Sequence, residues 1–170
     1  MDALSAILDR KVVREFLDRP LATEVLLQIA DAGRHAMSAR NMQPWRFIIV
    51  SDHATLHALG ELCTTGKFVA QAPAAIAVLK ELANAPWADI DCAHAIQNMA
   101  NAAWSMGLGT CWVGNLDRDK IAALLEVPPE WGVLTILPFG YMRPGSPQQR
   151  PLRPRAETVF AERFGKSFRK

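Results

Sequence analysis

Three cations within five residues, Arg10-Lys11-Val12-Val13-Arg14, follow a short apolar segment near the start of the chain. Guanidinium groups bind phosphate oxygens in bidentate fashion and a preceding turn adds backbone N–H donors, so the pattern suits a phosphate ester. The charges by themselves also describe a solvated basic loop. A second stretch, Ser38-Ala39-Arg40-Asn41-Met42-Gln43-Pro44-Trp45, leads small and amide side chains into a β-branched run. Pro44 drives Gln43 toward an extended backbone, and the polar residues before it do not readily continue a helix. Hydroxyls and amides there can pair with a heterocycle that alternates donors and acceptors, although an ordinary helix-to-strand loop has the same composition. His53 and His57, four apart, supply only half of a metal site; no HExxH and no third ligand accompany them, so they read as surface histidines and no metal is expected. Trp45, Trp87, Trp104, Trp112 and Trp131 lack an interleaved basic run, which points to core packing and to no nucleic-acid partner.

The elements that position these residues follow from periodicity. Met1 to Leu8 reads as a short helix, with Asp2 as cap and Leu4, Ile7 and Leu8 at helical spacing. A second helix starts after Pro20 with Thr23 as cap, buries Val25, Leu26, Ile29 and Ala30, and ends near Gly33. Arg46 to Ser51 and Ala74 to Leu79 are short enough to be buried strands, and Gly109 to Val113 and Val133 to Phe139 are two more candidates. The longest helix runs from about Ala88 to Met106. Its polar positions His94, Gln97, Asn98, Asn101 and Ser105 recur every three or four residues, and apolar side chains fill most of the remaining circumference. From Cys92 to Met106 it carries no charge, which leaves either the centre of a monomer core or a subunit interface as its place. Arg143 to Arg155 is rich in Pro and Arg and behaves as an extended arm, followed by a terminal amphipathic helix over Glu157 to Phe164. Interspersed strands and helices make an α+β layer structure, one domain over 1–170 with 143–170 as the arm.

Composition narrows the class. A net charge of +2 is too small for a nucleic-acid or membrane-surface protein, and residues 1–9 fit neither a secretory signal nor a membrane span, so a cytoplasmic protein is expected. Cys63, Cys92 and Cys111 are odd in number and form no CxxC, which predicts buried free thiols.

Arg10-x-x-x-Arg14, then Ser38, Asn41 and Gln43-Pro44-Trp45 entering a strand, resemble in order and spacing the N-terminal signature of FMN-dependent nitroreductases. The resemblance continues through Lys67-Phe68-Val69-Ala70-Gln71-Ala72-Pro73, Gln97-Asn98 in the long helix, the run Gly107 to Gly114, and Gly140-Tyr141 ahead of the arm, and so covers nearly the whole chain. It implies an α+β sandwich with a mainly antiparallel central sheet flanked by helices. It also implies a homodimer with an exchanged C-terminal arm and FMN bound between subunits. Carried onto this chain, Arg10, Lys11 and Arg14 would hold the FMN phosphate and ribityl chain, with Val12 where members often have Ser. Arg153 and Arg155 in the arm resemble the family's C-terminal phosphate contacts, with Arg150 in reserve. Ser38 and Asn41, and between them Ala39 in place of a second small polar residue, would come from the other subunit. Lys67 resembles the lysine beside the flavin N1 and C2 carbonyl, where a cation favours the reduced ring. Val113, Gly114 and Asn115 would lie along the isoalloxazine near N5.

The implied activity is reduction of a small planar acceptor, a nitroaromatic or quinone, by NAD(P)H in a ping-pong sequence, with no obligatory catalytic side chain and no membrane partner. GxGxxG and P-loop motifs are absent, which accords with a nicotinamide that binds only transiently. Specialised members carry out dehalogenation, dehydrogenation or flavin consumption, and a protein that stores or senses FMN without turnover would use the same binding residues.

Overall fold

Asp2 starts the structured chain: its carboxylate accepts the Ser5 N–H at 3.0 Å and caps helix α1, Ala3–Asp9. In the computed structural model, which describes residues 1–83, 85–146 and 151–168, α2 spans Thr23–Arg34, β1 Trp45–Val50, α3 His53–Glu61 and β2 Ala74–Glu81. Helix α4 covers Ala88–Ser105, β3 Leu108–Thr110, α5 Arg118–Leu124 and β4 Trp131–Tyr141. Asp52 and Asp117 cap α3 and α5 in the same way as Asp2 caps α1.

The strands form one antiparallel sheet in the order β1-β2-β4-β3. Ile76 and Val78 of β2 pack with Ile29 of α2 and Cys92, Ile96 and Met99 of α4 on one face. Ala75, Ala77 and Leu79 alternate onto the other face, against Leu56 and Leu59 of α3 and Ile121 of α5. Helices therefore cover both faces, and fully burying a side chain such as Ile29 or Met99 contributes about 1.5–3 kcal/mol. A β-bulge sets the far half of β4: Val78 pairs with Thr135 but Leu79 with Val133, so Leu134 is the extra residue. Val133 and Ile136 consequently face the same core although three apart.

Several expectations need correction. Thr23 is the first helical residue of α2, and Ala22, with no capping side chain, takes the N-cap position. Strand β1 lies at the sheet edge and is half-buried, because only one neighbour covers it. Strand β3 stops at Thr110, although Val113 still donates to the Ile136 carbonyl at 3.3 Å. No α-helix forms over 157–164; a single 3-10 turn, Arg155–Glu157, precedes irregular chain in which the Phe160 and Phe164 rings meet at 4.7 Å. So short an amphipathic segment is not helical unless its apolar face is buried. Of the five tryptophans Trp45 is a core residue and Trp104 and Trp131 pack against core clusters, Trp131 also under the Arg46 guanidinium at 4.3 Å, whereas Trp87 and Trp112 are 56% and 43% exposed. The apolar stripe of α1 is also outward, with Leu4, Ile7 and Leu8 exposed and only Ala6 buried.

The three thiols are buried as expected. Burial pushes Cys63 up from 9.0 to about 11 and Cys92 to about 12, in Cys92 with help from Asp89 and Asp91. The unfolded thiols lose their protons first as pH rises above 9, so these groups lower stability with increasing pH in that range. At pH 8 the native protein should react with a disulfide probe slowly at all three cysteines, and guanidinium should release three fast equivalents; a fast native thiol would contradict the burial.

Candidate functional site

The chain turns out of α4 at Gly107, whose φ of +78° supplies the left-handed residue that ends the helix. Gly109, two residues on, is needed for space: a Cβ there would lie 2.5 Å from the Val13 side chain. This contact docks the basic stretch on β3, where the Val13 N–H donates to the Thr110 carbonyl at 3.1 Å. Gly109→Ala should displace residues 10–14, lowering stability by about 1–3 kcal/mol and weakening binding of any phosphate ligand, read by thermal melts with and without that ligand. An unaltered melting temperature would refute the docking role.

Other segments converge on this point. Phe68, following Lys67 in the 3-10 turn Lys67–Gln71, packs with Trp104 against the small core of Val13, Phe16 and Ala72. A Cβ on Gly66 would lie 2.5 Å from Val113, so the Lys67 turn abuts the 113–115 stretch. Arg143 and Ser146, at the start of the arm, donate from backbone N–H and hydroxyl respectively to the Glu15 carbonyl, and Ser146 shares with Val12, Arg14 and Glu15 a cavity of about 160 Å³. Arg10, Lys11, Val12, Arg14, Lys67, Val113, Gly114 and Asn115 thus lie on segments the tertiary structure brings together.

The electrostatics of this cluster are those of an anion site. None of the four ion pairs among the described residues uses Arg10, Lys11, Arg14 or Lys67. The Arg10 Nε is buried with no hydrogen-bond partner among the described residues, a costly arrangement that an anionic oxygen would relieve. Arg14 stands beside Cys111, and its charge partly offsets the upward push of burial on that thiol. Val113 is committed to the fold: its carbonyl accepts the Thr135 hydroxyl at 2.8 Å as well as its N–H being used, whereas Gly114 and Asn115 are exposed.

The second stretch lies elsewhere. Ser38 precedes a 3-10 turn over Ala39–Asn41 in which Arg40 and Asn41 adopt left-handed backbone, and Gln43, expected to be extended ahead of Pro44, does so as well, with φ between 49° and 56°. Three such non-glycine residues store strain that surrounding bonds must hold. Ser38 Oγ accepts the Gln43 N–H at 3.0 Å, Gln43 Nε2 donates to Asn41 Oδ1 at 3.1 Å, and the Ala39 N–H donates to both Asp91 carboxylate oxygens at 3.1 Å. Asp91 is buried in the first turn of α4 and was not singled out from the sequence; its only signal is that it is the last charge before the uncharged helix body. Asp91 fixes the Ser38 loop at one end of α4, while Trp104 marks the basic cluster at the other, about 20 Å along the helix axis. One chain therefore holds the two expected halves of the site apart.

Arg153 and Arg155 are exposed, and the hydrogen bonds of 151–168 stay within that segment among the described residues. Arg150 lies outside the described residues. His53 and His57 are exposed on α3.

The Nitroreductase family model matches residues 7–75 and 61–141. A candidate NADH dehydrogenase/NAD(P)H nitroreductase of Methanothermobacter thermautotrophicus is 36% identical over 149 residues, 83% of this chain and 78% of that protein. Among solved structures, a candidate NADH dehydrogenase/NAD(P)H nitroreductase of Bacteroides thetaiotaomicron superposes with a TM-score of 0.86 at 29% identity, over 95% of this chain and 98% of the other. An FMN-dependent nitroreductase of Clostridium difficile R20291 gives 0.86 at 24% identity over 95% and 99%, a likeness of fold. The sheet order, the helices on both faces and these matches over the body of the chain agree: it belongs to the nitroreductase family.

Proposed function

We propose that this protein is an FMN-dependent NAD(P)H oxidoreductase that reduces a small planar acceptor, a nitroaromatic or quinone, and works as a homodimer in the cytoplasm. The observation that carries the reading is the uncompensated cationic cluster of Arg10, Lys11, Arg14 and Lys67, with the partnerless Arg10 Nε, on segments locked together by Val13, Gly109 and Val113. Arg10, Lys11 and Arg14 bind the FMN phosphate and ribityl chain, with Val12 in van der Waals contact. Lys67 places its ammonium beside the pyrimidine edge, where positive charge favours the anionic reduced ring. Val113 fixes the level of the 113–115 stretch, and Gly114 and Asn115 present backbone to the ring. FMN held there would supply two-electron redox chemistry between NAD(P)H and the acceptor.

A homodimer is supported by three features. The Ser38 loop lies too far along α4 to complete its own chain's cluster, so Ser38, Ala39 and Asn41 serve the partner's site. The α1 stripe of Leu4, Ile7 and Leu8 is uncovered. The arm carries Leu152 and Phe164 at 86% and 93% exposure and reaches the partner's surface, bringing Arg153 and Arg155 to a phosphate. Among the described residues no helix is long and apolar enough to cross a membrane.

The test is an absorbance spectrum of the purified protein before and after anaerobic addition of NADH or NADPH, with the released chromophore identified. A yellow protein that releases FMN and bleaches is expected. A flavin that stays oxidised would indicate storage or sensing, and a colourless protein that cannot be reconstituted with FMN would overturn the reading.

A further inference from the structure

Thr135 of β4 has no exposed surface, and a hydroxyl is tolerated there only against a partner. Its single proton has two acceptors in reach, the Val113 carbonyl at 2.8 Å and the Ile136 carbonyl at 3.3 Å, and the nearer one lies 22 positions earlier in the chain. That bond spans a gap in the neighbouring ladder. The β3–β4 register pairs Thr110 with Phe139 and, continued, sets Val113 opposite Ile136, whose carbonyl accepts the Val113 N–H. Ile136 and Pro138 turn their backbone groups to the same side of β4, so Pro138 faces Cys111 with no N–H to give, and the strand lapses after Thr110. Beyond the gap, Thr135 supplies from its side chain a donor that holds the chain to β4.

The hold is one-sided. Val113 is 2% exposed with both backbone groups bound, and the Gly114 carbonyl accepts Nη2 of Arg118, in the first turn of α5, at 3.3 Å. Leu116 is buried and the Asp117 N–H donates to the Leu62 carbonyl at 2.9 Å, which fixes the far end of the stretch. Between these anchors the N–H groups of Gly114 and Asn115 donate to nothing among the described residues, and both residues are exposed. Tied-back carbonyls and free N–H groups make the stretch an outward-facing pair of donors beside the Lys67 turn. Fixed donors stabilise the electron-rich form of a ring more than the electron-poor one, and only while their aim is held.

We propose that Thr135 is a positioning residue for the flavin: its hydroxyl sets the height of Val113, through it the aim of the Gly114 and Asn115 N–H groups, and thereby raises the midpoint potential of the ring. The inference rests on the flavin reading, and its test can fail separately.

Flavin-loaded wild type, Thr135→Val, Thr135→Ala and Thr135→Ser are titrated anaerobically with dithionite against a reference dye, without NAD(P)H. Loss of the hydroxyl in Thr135→Val and Thr135→Ala should weaken the preference for reduced over oxidised flavin about tenfold, a midpoint potential lower by about 30 mV. Thr135→Ser keeps the hydroxyl and should stay at the wild-type potential. The Kd for oxidised FMN should change by no more than about threefold in every variant, since the phosphate cluster is untouched. A merely structural role would lower melting temperature and FMN affinity together and leave the potential of the flavin still bound unchanged. An unchanged or raised potential in the hydroxyl-free variants overturns the inference, and so does a Thr135→Ser potential as low as theirs. Failure of both hydroxyl-free variants to fold overturns it as well, since the hydroxyl would then serve the fold. Wild-type protein that binds FMN but is not bleached by NAD(P)H removes the reductase reading and leaves this inference to the potentials alone; protein that cannot be loaded with FMN removes both.

Discussion

Replacing Arg14 by alanine is expected to weaken FMN retention by one to two orders of magnitude, because it removes a charge-assisted phosphate contact of about 1.5–3 kcal/mol. Arg14 is outside every ion pair among the described residues, so its charge is available to a ligand, and its neighbours Val13 and Cys111 are buried and fixed. Fluorescence titration of apoprotein with FMN measures the change. Arg34→Ala is the control: Arg34 is an exposed guanidinium paired with Asp31 at 2.6 Å on α2, and such surface pairs contribute about 0–1 kcal/mol. Equal FMN affinity in Arg14→Ala and wild type would remove Arg14 from the site.

Ending the chain after Ser146 is expected to abolish both the dimer and flavin retention. This cut spares the fold of the single chain. Tyr141 still pairs with Leu108, Met142 still bridges Phe16, and Arg143 and Ser146 still bond the Glu15 carbonyl. The lost segment has only internal hydrogen bonds among its described residues and keeps Leu152 and Phe164 in solvent, so its apolar surface gains from burial only against another molecule. Sedimentation and the flavin absorbance of the purified protein measure the two effects. Truncated protein that remains a yellow dimer would deny the arm any part in assembly or binding.

Much of this architecture was legible from sequence. The α1 cap at Asp2, the span of α4 and all four strands follow from local signals, because side-chain capping and periodicities of 2 and 3.6 are properties of a few neighbouring residues. The concentration of cations at Arg10, Lys11 and Arg14 was legible as chemistry, and the order and spacing of the motifs as family. The C-terminal helix was misread since its apolar spacing is helical but its stability would depend on a surface that the single chain lacks. Core packing holds for Trp45, Trp104 and Trp131 but not for Trp87 and Trp112, because composition favours burial of large rings only on average and the packing decides which ring joins the core.

Asp91 shows the limit most clearly. A carboxylate at the start of a helix is common, and nothing in its neighbours along the chain connects it with Ala39, 52 residues away. That bond exists because α2 packs on α4, its end at Gly33 admitting Met99, and the loop that follows α2 then returns to the first turn of α4. By itself the sequence determined which side chains are available, the elements that carry them and the family they mark. Only the tertiary structure decided that the basic cluster and the Ser38 loop stand at opposite ends of one helix, because separation in space depends on long-range packing, which spacing along the chain does not encode.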